Sequence, residues 1–338
     1  MTVYLGLDVA ADSFTASLFE APGRLKAAPS AFGNSEAGVR ALEEWLCSMG
    51  LGQEQVHVCL ENTGVYSEAL CYVLHGRGYR LSLLDPRALW KAFPDGQPKN
   101  DVRDAGKIGE YGFRYADKLT LWHPREEIIE QIGVVLSTRE QLVRQKTASL
   151  NARSTLARKR VQTPAANRAL DATIAHLKEQ ITGLDKELQR LIRSHPTLIN
   201  GASLLMSAPG VGWLLSGHFI VLTRGFAEIP MYRTLAQYLG ISPNEHTSGT
   251  SVRKKPRSRR YGPATIRKLL HLAARSIGTH EASYRSYYAQ KVGAGKPKSL
   301  VINNIANKLL KRLCAMLKHQ QPYNAAHRPI DPRSLALA

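Results

Sequence analysis

Apolar and polar positions recur with two different periods along this chain, and the change from one to the other marks its organisation. Up to about residue 120, short apolar runs are separated by helical patterns, which predicts an α/β region. Val3 to Leu7 reads as a buried strand ending at Asp8, Phe14 to Phe19 as a second strand, and Gly23 to Ser30 as a third. Val39, Leu42, Trp45 and Leu46 then follow at helical spacing behind an N-cap at Asn34 or Ser35. A strand over Gln55 to Leu60 ends at Glu61, a helix covers Ser67 to His75, and a strand from Tyr79 to Leu84 stops at Asp85-Pro86. A further helix begins near Asp101.

Three strands, then helix, strand, helix, strand and helix is the order of a ribonuclease H-like fold. Beyond it the pattern becomes long helix, from Leu136 to Ile192. Leu170, Ile174, Leu177, Ile181, Leu184, Leu188 and Leu191 step alternately by four and three, a heptad seam. Thr163-Pro164 interrupts the run upstream, so two helices folded back on each other and a coiled coil shared between chains both satisfy it. After Pro196, Leu204 and Leu205, the turn Pro209-Gly210-Val211-Gly212 and the apolar run Leu214 to Leu222 have the form of a helix, a tight turn and a second helix. That form resembles the helix-hairpin-helix, whose turn amides meet phosphates, and marks Gly210 and Gly212. Ile241 to Arg260 reads as a polar, basic loop, while Thr265 to Ile277 and Leu300 to Leu317 are amphipathic helices. The expected division is an α/β domain over 1–125, a helical stalk over 126–195, a mainly α domain over 196–320 and a flexible tail over 321–338.

Charge sharpens this division. The chain has 338 residues with 46 Lys and Arg against 27 Asp and Glu, a net charge of +19. Residues 251 to 338 hold 19 of the basic residues and two acids, Glu281 and Asp331. A field of one sign concentrated in one region attracts polyanions, nucleic acids first among them. A membrane-surface helix would set such charge opposite Trp or Phe, and this region has neither. No apolar run is long enough for a membrane span, and Met1 to Asp12 lacks the order of a signal peptide, so a cytoplasmic location is expected. Cys47, Cys59, Cys71 and Cys314 form no C-x-x-C pair and are read as buried free thiols.

Asp8 and Glu61 end strands, and Asp101 and Asp104 share one helix face at i and i+3. Four carboxylates together are electrostatically costly unless cations lie among them. Such oxygen ligands suit Mg²⁺ or Mn²⁺, and two ions about 3.5–4 Å apart stabilise both the attacking and the leaving oxygen of a phosphoryl transfer. A second candidate is Ser248 before Gly249, where a phosphate can approach an exposed turn closely. On local sequence alone an ordinary polar loop serine is the commoner reading. Arg253, Lys254, Lys255, Arg257, Arg259 and Arg260 follow, with Arg267 and Lys268 beyond, and no acid lies between Thr247 and His280, so phosphate contact is expected there. Tyr284, Tyr287 and Tyr288 suit either base stacking or packing.

Six ordered motifs carry a family resemblance. They are Gly6-Leu7-Asp8-Val9, Glu61-Asn62-Thr63-Gly64, Lys99-Asn100-Asp101-Val102-Arg103-Asp104-Ala105, Ala208-Pro209-Gly210-Val211-Gly212, Tyr238-Leu239-Gly240-Ile241-Ser242-Pro243 and Ser248-Gly249. The chain resembles the DEDD transposases of bacterial insertion sequences of the IS-one-hundred-and-ten type, which are related to the pilin-gene invertases. The resemblance implies a RuvC-like domain joined through a coiled coil to a C-terminal transposase domain. Asp8, Glu61, Asp101 and Asp104 would be its metal-binding tetrad and Ser248 a nucleophile transiently joined to DNA. It further implies site-specific recombination of donor and target DNA through a Holliday-junction-like intermediate, guided by a structured bridge RNA. Tetrad and serine would meet between subunits of a dimer or tetramer. Asn100 stands where many relatives carry Thr, a change that touches local hydrogen bonding. The competing readings are a metal-dependent junction nuclease without a serine nucleophile and a non-enzymatic nucleic-acid binder.

Overall fold

A computed structural model describes residues 2–21, 24–25, 27–62, 64–93, 100–248, 252–258 and 262–326, with the backbone alone at 21, 24–25, 244–248 and 252–257. The chain divides into two compact units, Met1–Pro124 and Arg125–Ala338.

The first unit opens with β1 (Val3–Val9) and β2 (Ser13–Ala21), followed by two short strands, β3 (Arg24–Leu25) and β4 (Ser30–Gly33). The single third strand expected from Gly23 to Ser30 is thus two separate segments, both paired with β2. Next come α1 (Glu36–Ser48), β5 (Val56–Glu61), α2 (Val65–Gly76), β6 (Arg80–Leu84), α3 (Pro86–Ala92) and α4 (Asp101–Arg114). Ser35 caps α1, its hydroxyl accepting from the Gly38 amide. The sheet runs β3-β2-β1-β5-β6, with β4 on β2. β1 is antiparallel to β2 and parallel to β5, and β5 is parallel to β6. This mixed order is consistent with a ribonuclease H-like domain.

The central strands β1 and β5 bury both faces, as strands between helical layers must. On one face Val3, Leu5, Leu7, Val56, Val58 and Leu60 join Val39, Leu42 and Leu46 of α1 and Leu70 and Leu74 of α2 in one core. On the other, Cys59 and Leu84 pack with Leu89 of α3 and Ile108 of α4. Asp85-Pro86, the stop of β6, also starts α3, a helix that local periodicity does not predict. Asp85 caps it by accepting from the Arg87 amide, and Pro86 fills the first position, where no backbone N–H is needed.

The second unit begins with α5 (Glu127–Leu156) and α6 (Pro164–Arg193). The heptad seam is satisfied inside the chain. Ile174, Leu177, Ile181, Leu188 and Leu191 are buried, and Ile129, Ile132 and Leu136 of α5 share a core with Leu188 and Leu191. Two ion pairs fix the helices as antiparallel, Arg139 with Asp185 at 2.5 Å and Arg153 with Asp171 at 2.9 Å. Then follow α7 (Pro196–Met206), α8 (Trp213–Leu222), α9 (Tyr232–Tyr238), the hairpin β7 (Pro243–Ser248) and β8 (Val252–Ser258), and α10 (Ala264–His280), α11 (Ala282–Gly293) and α12 (Lys298–His319). Within the polar loop expected over Ile241 to Arg260, Pro243–Ser248 and Val252–Ser258 therefore pair as antiparallel strands. Leu215 and Phe219 of α8 meet α9, α10 and α12 in the largest core of the chain. No helix among the described residues is long and apolar enough to cross a membrane.

Candidate active site

The register of the parallel strands sets two acids side by side. Leu7 of β1 pairs with Leu60 of β5, and the next residues are Asp8 and Glu61. Alternation along the strands then decides which way they face. A side chain on Gly6 would run into Ala105 and Gly109 of α4, and one on Gly112 of α4 would meet Tyr4 and the Cys59 thiol. Gly6 and Cys59 therefore face α4, and so do Asp8 and Glu61, two residues further along each strand.

The direction of α4 completes the arrangement. Its residues 105–109 lie over Gly6 and its residue 112 lies beside Tyr4, so the helix runs back toward the starts of the strands. Its first turn, with Asp101 and Asp104, consequently lies toward the ends of β1 and β5, where Asp8 and Glu61 stand. A helix N-terminus also favours carboxylates in that turn. Asn100 holds the turn in place: its Oδ1 accepts from the Val102 amide at 3.0 Å and the Arg103 amide at 3.4 Å. Asn, like Thr, is a good N-cap, so the departure at this position preserves the local geometry. Lys107 reaches Asp104 at 3.4 Å and offsets part of its charge.

Asn34 ties the same edge together from outside the motifs. Its Nδ2 donates to the carbonyls of Ala10 at 3.1 Å and Tyr66 at 3.0 Å. Those carbonyls belong to the turn that follows Asp8 and to the first turn of α2, which follows Glu61. Nothing in the local sequence signals this, because the partners lie 24 and 32 residues away.

Among the described residues, no three His, Cys, Asp or Glu side chains gather closely enough to hold a metal ion. The four acids thus share one edge and one face without closing into a ligand shell. Their donor chemistry, carboxylate oxygen throughout, fits a hard divalent cation. Cys59 faces α4 with the acids but is buried, as are Cys71 and Cys314, with burial pushing the Cys59 and Cys71 thiols up to about 12. Cys47 is exposed, contrary to the reading of all four as buried.

Ser248 belongs to the second unit, where it closes β7 and pairs with Val252. The basic run folds back along it, with Arg253 opposite Thr247, Lys254 opposite His246 and Arg257 opposite Asn244, and Lys255 lies on the same strand. Gly249, Arg259 and Arg260 lie outside the described residues. Lys268 is exposed on α10, whereas Arg267 donates to the Leu239 carbonyl at 2.9 Å and so joins α10 to the end of α9. Gly210 has φ +80°, and a side chain there would meet Ala273 and Ser276 of α10, while Gly212 faces open space. Tyr284 is buried in the core, and Tyr287 is covered by the Lys308 ammonium 3.6 Å from its ring centre. These rings engage their own protein.

Comparison with known proteins agrees with the two-part layout. A family model for DEDD transposases of the IS110 type matches residues 5–159, which contain all four acids. A second, for the transposase IS116/IS110/IS902 family, matches residues 202–289, which contain Ser248. The chain is 26% identical to the pilin gene-inverting protein of Moraxella bovis over 330 residues, covering 95% of this chain and 97% of that one. The corresponding protein of Moraxella lacunata is equally similar over the same span. An uncharacterized protein of insertion element IS110 from Streptomyces coelicolor is 25% identical over 150 residues, 44% of this chain and 36% of that protein. The DEDD family points to dependence on a divalent metal, and a transposase acts on DNA. With both transposase domains in order along it, the chain belongs to the IS110/IS116 family of DNA transposases.

Proposed function

We propose that this transposase is a site-specific recombinase that cleaves and rejoins DNA with two cooperating parts, the Asp8, Glu61, Asp101 and Asp104 edge and Ser248. The observation that carries this reading is the course of α4, whose first turn, with Asp101 and Asp104, lies toward the edge where Asp8 stands one residue from the end of β1 and Glu61 ends β5. These four carboxylates would hold Mg²⁺, or Mn²⁺, as two ions. Bound there, divalent ions supply Lewis-acid polarisation of the scissile phosphate. Asn100 and Asn34 fix the backbone that carries the acids, and Lys107 limits their mutual repulsion.

Ser248 Oγ attacks the scissile phosphorus, forming a phosphoserine ester as the bond to a deoxyribose oxygen breaks. The serine proton passes to a base and the leaving oxygen takes up a proton. A hydroxyl of the exchanged strand then attacks the ester and frees the serine, giving rejoined DNA through a Holliday-junction-like intermediate. Arg253, Lys254, Lys255, Arg257, Arg259, Arg260 and Lys268, with the turn at Gly210 and Gly212, would hold the nucleic-acid backbone. Tetrad and serine lie in different compact units, which suits a composite site completed between subunits of a dimer or tetramer. A structured bridge RNA would choose the sites by base pairing, and the pilin gene-inverting relatives suggest inversion as one outcome.

The test is a search on denaturing gels for a covalent adduct with labelled element-end DNA in Mg²⁺, comparing the native protein with Ser248→Ala and Asp104→Asn. An adduct lost in both variants supports the reading. Metal-dependent nicking that persists in Ser248→Ala without any adduct would replace it with a metal-dependent junction nuclease.

A further inference from the structure

Large exposed apolar side chains of the first unit cluster at the acidic edge. Among its described residues these are Val65, Tyr66, Trp90, Val102 and Leu121. Val65 and Tyr66 open α2 just beyond β5, Trp90 lies on α3 just beyond β6, and Val102 lies between Asp101 and Asp104 in α4. Four of the five thus stand on helices that leave or meet the end of the sheet where Asp8 and Glu61 lie. Trp90 is 69% exposed and Tyr66 is 50% exposed.

Trp90 is held out on a firm support. Leu89, its neighbour, is buried with Cys59, Leu84 and Ile108, and the Asp85 cap and Pro86 fix the start of the helix. One residue on, the helical rotation of about 100° turns the indole away from that anchor. Neither Trp90 nor Tyr66 stacks on another ring among the described residues. α3 carries Arg87 and Lys91 along its length, with Asp85 as its cap, so two cationic side chains share the helix with the indole. An exposed aromatic on a rigid, basic helix beside a phosphate-processing edge matches the chemistry of a nucleotide, with its flat base and anionic backbone.

We infer that Trp90, assisted by Tyr66, is a stacking platform for an unpaired base of the DNA strand engaged by the acidic edge. This rests on the proposed reading of that edge. Stacking needs no particular base, so the platform would hold the strand open beside the scissile phosphate while leaving sequence choice to other contacts. Its loss should lower affinity for single-stranded DNA and slow cleavage, by about 5- to 100-fold for one base.

The test uses the full chain and a short single-stranded oligodeoxynucleotide carrying an internal 2-aminopurine, whose fluorescence is quenched by stacking. The native protein should quench it. Trp90→Ala should quench less and bind at least fivefold more weakly, and Trp90→Phe should recover most of both. Melting temperatures should agree, since the side chain is exposed. Unchanged quenching and affinity in Trp90→Ala would overturn the inference, as would a change in its oligomeric state with DNA binding intact. Undiminished cleavage by Asp104→Asn would instead defeat the reading of the acids.

Discussion

Gly6 in β1 lies against Ala105 in α4 so closely that a single methyl group on Gly6 would collide with the Ala105 carbonyl and come within 2.9 Å of the Gly109 Cα. The obstacles are backbone atoms, which no rotamer change can clear. Gly6→Ala should push α4 from the sheet and carry Asp101 and Asp104 away from Asp8 and Glu61. The expected result is a stability loss of about 1–3 kcal/mol and loss of strand cleavage. Urea unfolding and a cleavage assay on the same preparation check both.

The cap at Asn100 makes a narrower prediction. Asn100→Ala removes the acceptor for the Val102 and Arg103 amides and should cost about 1 kcal/mol. Asn100→Thr should restore the stability, because a threonine oxygen caps the same turn. Equal stability of the alanine and threonine variants would show that the cap contributes nothing.

Asn34 predicts a separation of stability from activity. Asn34→Ala frees the Ala10 and Tyr66 carbonyls at an exposed position, where water replaces the lost bonds, so stability should fall by no more than about 1 kcal/mol. Half-saturating Mg²⁺ for cleavage should nevertheless rise severalfold, because the segments behind Asp8 and Glu61 are no longer tied. A Mg²⁺ titration equal to that of the native protein would assign Asn34 a purely local role.

His57 supplies a pH dependence independent of the site. Its Nε2 lies 2.9 Å from the Ser82 hydroxyl, which itself donates to the Thr120 carbonyl. Burial first, and the nearby Arg80 guanidinium second, lower its pKa from 6.5 to about 4. The unfolded chain therefore takes up a proton that the folded chain refuses between those values. Stability should fall as the pH drops from about 6.5 to about 4, by about 3 kcal/mol from this group, and level off below. His57→Gln should remove that part of the acid loss, which unfolding curves across the range will show.

How much of this was legible depended on how far apart the partners lie in the chain. Strands β1, β2, β5 and β6 and helices α1, α2 and α4 follow from local periodicity, and the acids at their ends were visible for that reason. The face on which the acids meet was not, since it depends on Gly6 and Gly112 admitting α4, a contact about 100 residues long-range. Asn34 escaped for the same reason. The β7–β8 pair gives no strand signal in the sequence because its residues are polar and basic, without the apolar alternation that marks a strand with one face in a core. The heptad seam was legible as a seam but not as to partner. The core that Ile129, Ile132 and Leu136 share with Leu188 and Leu191, and the ion pairs of Arg139 and Arg153 with Asp185 and Asp171, show that α5 fills it.

The central claim is that Asp8, Glu61, Asp101 and Asp104 act as one metal-dependent site. The most direct measurement is the Mg²⁺ dependence of strand cleavage for Asp8→Asn, Glu61→Gln, Asp101→Asn and Asp104→Asn, with DNA affinity measured alongside. The account predicts that each variant loses cleavage or needs at least tenfold more Mg²⁺ while binding DNA as the native protein does. Any one of the four cleaving at the native rate with the native Mg²⁺ requirement would contradict it.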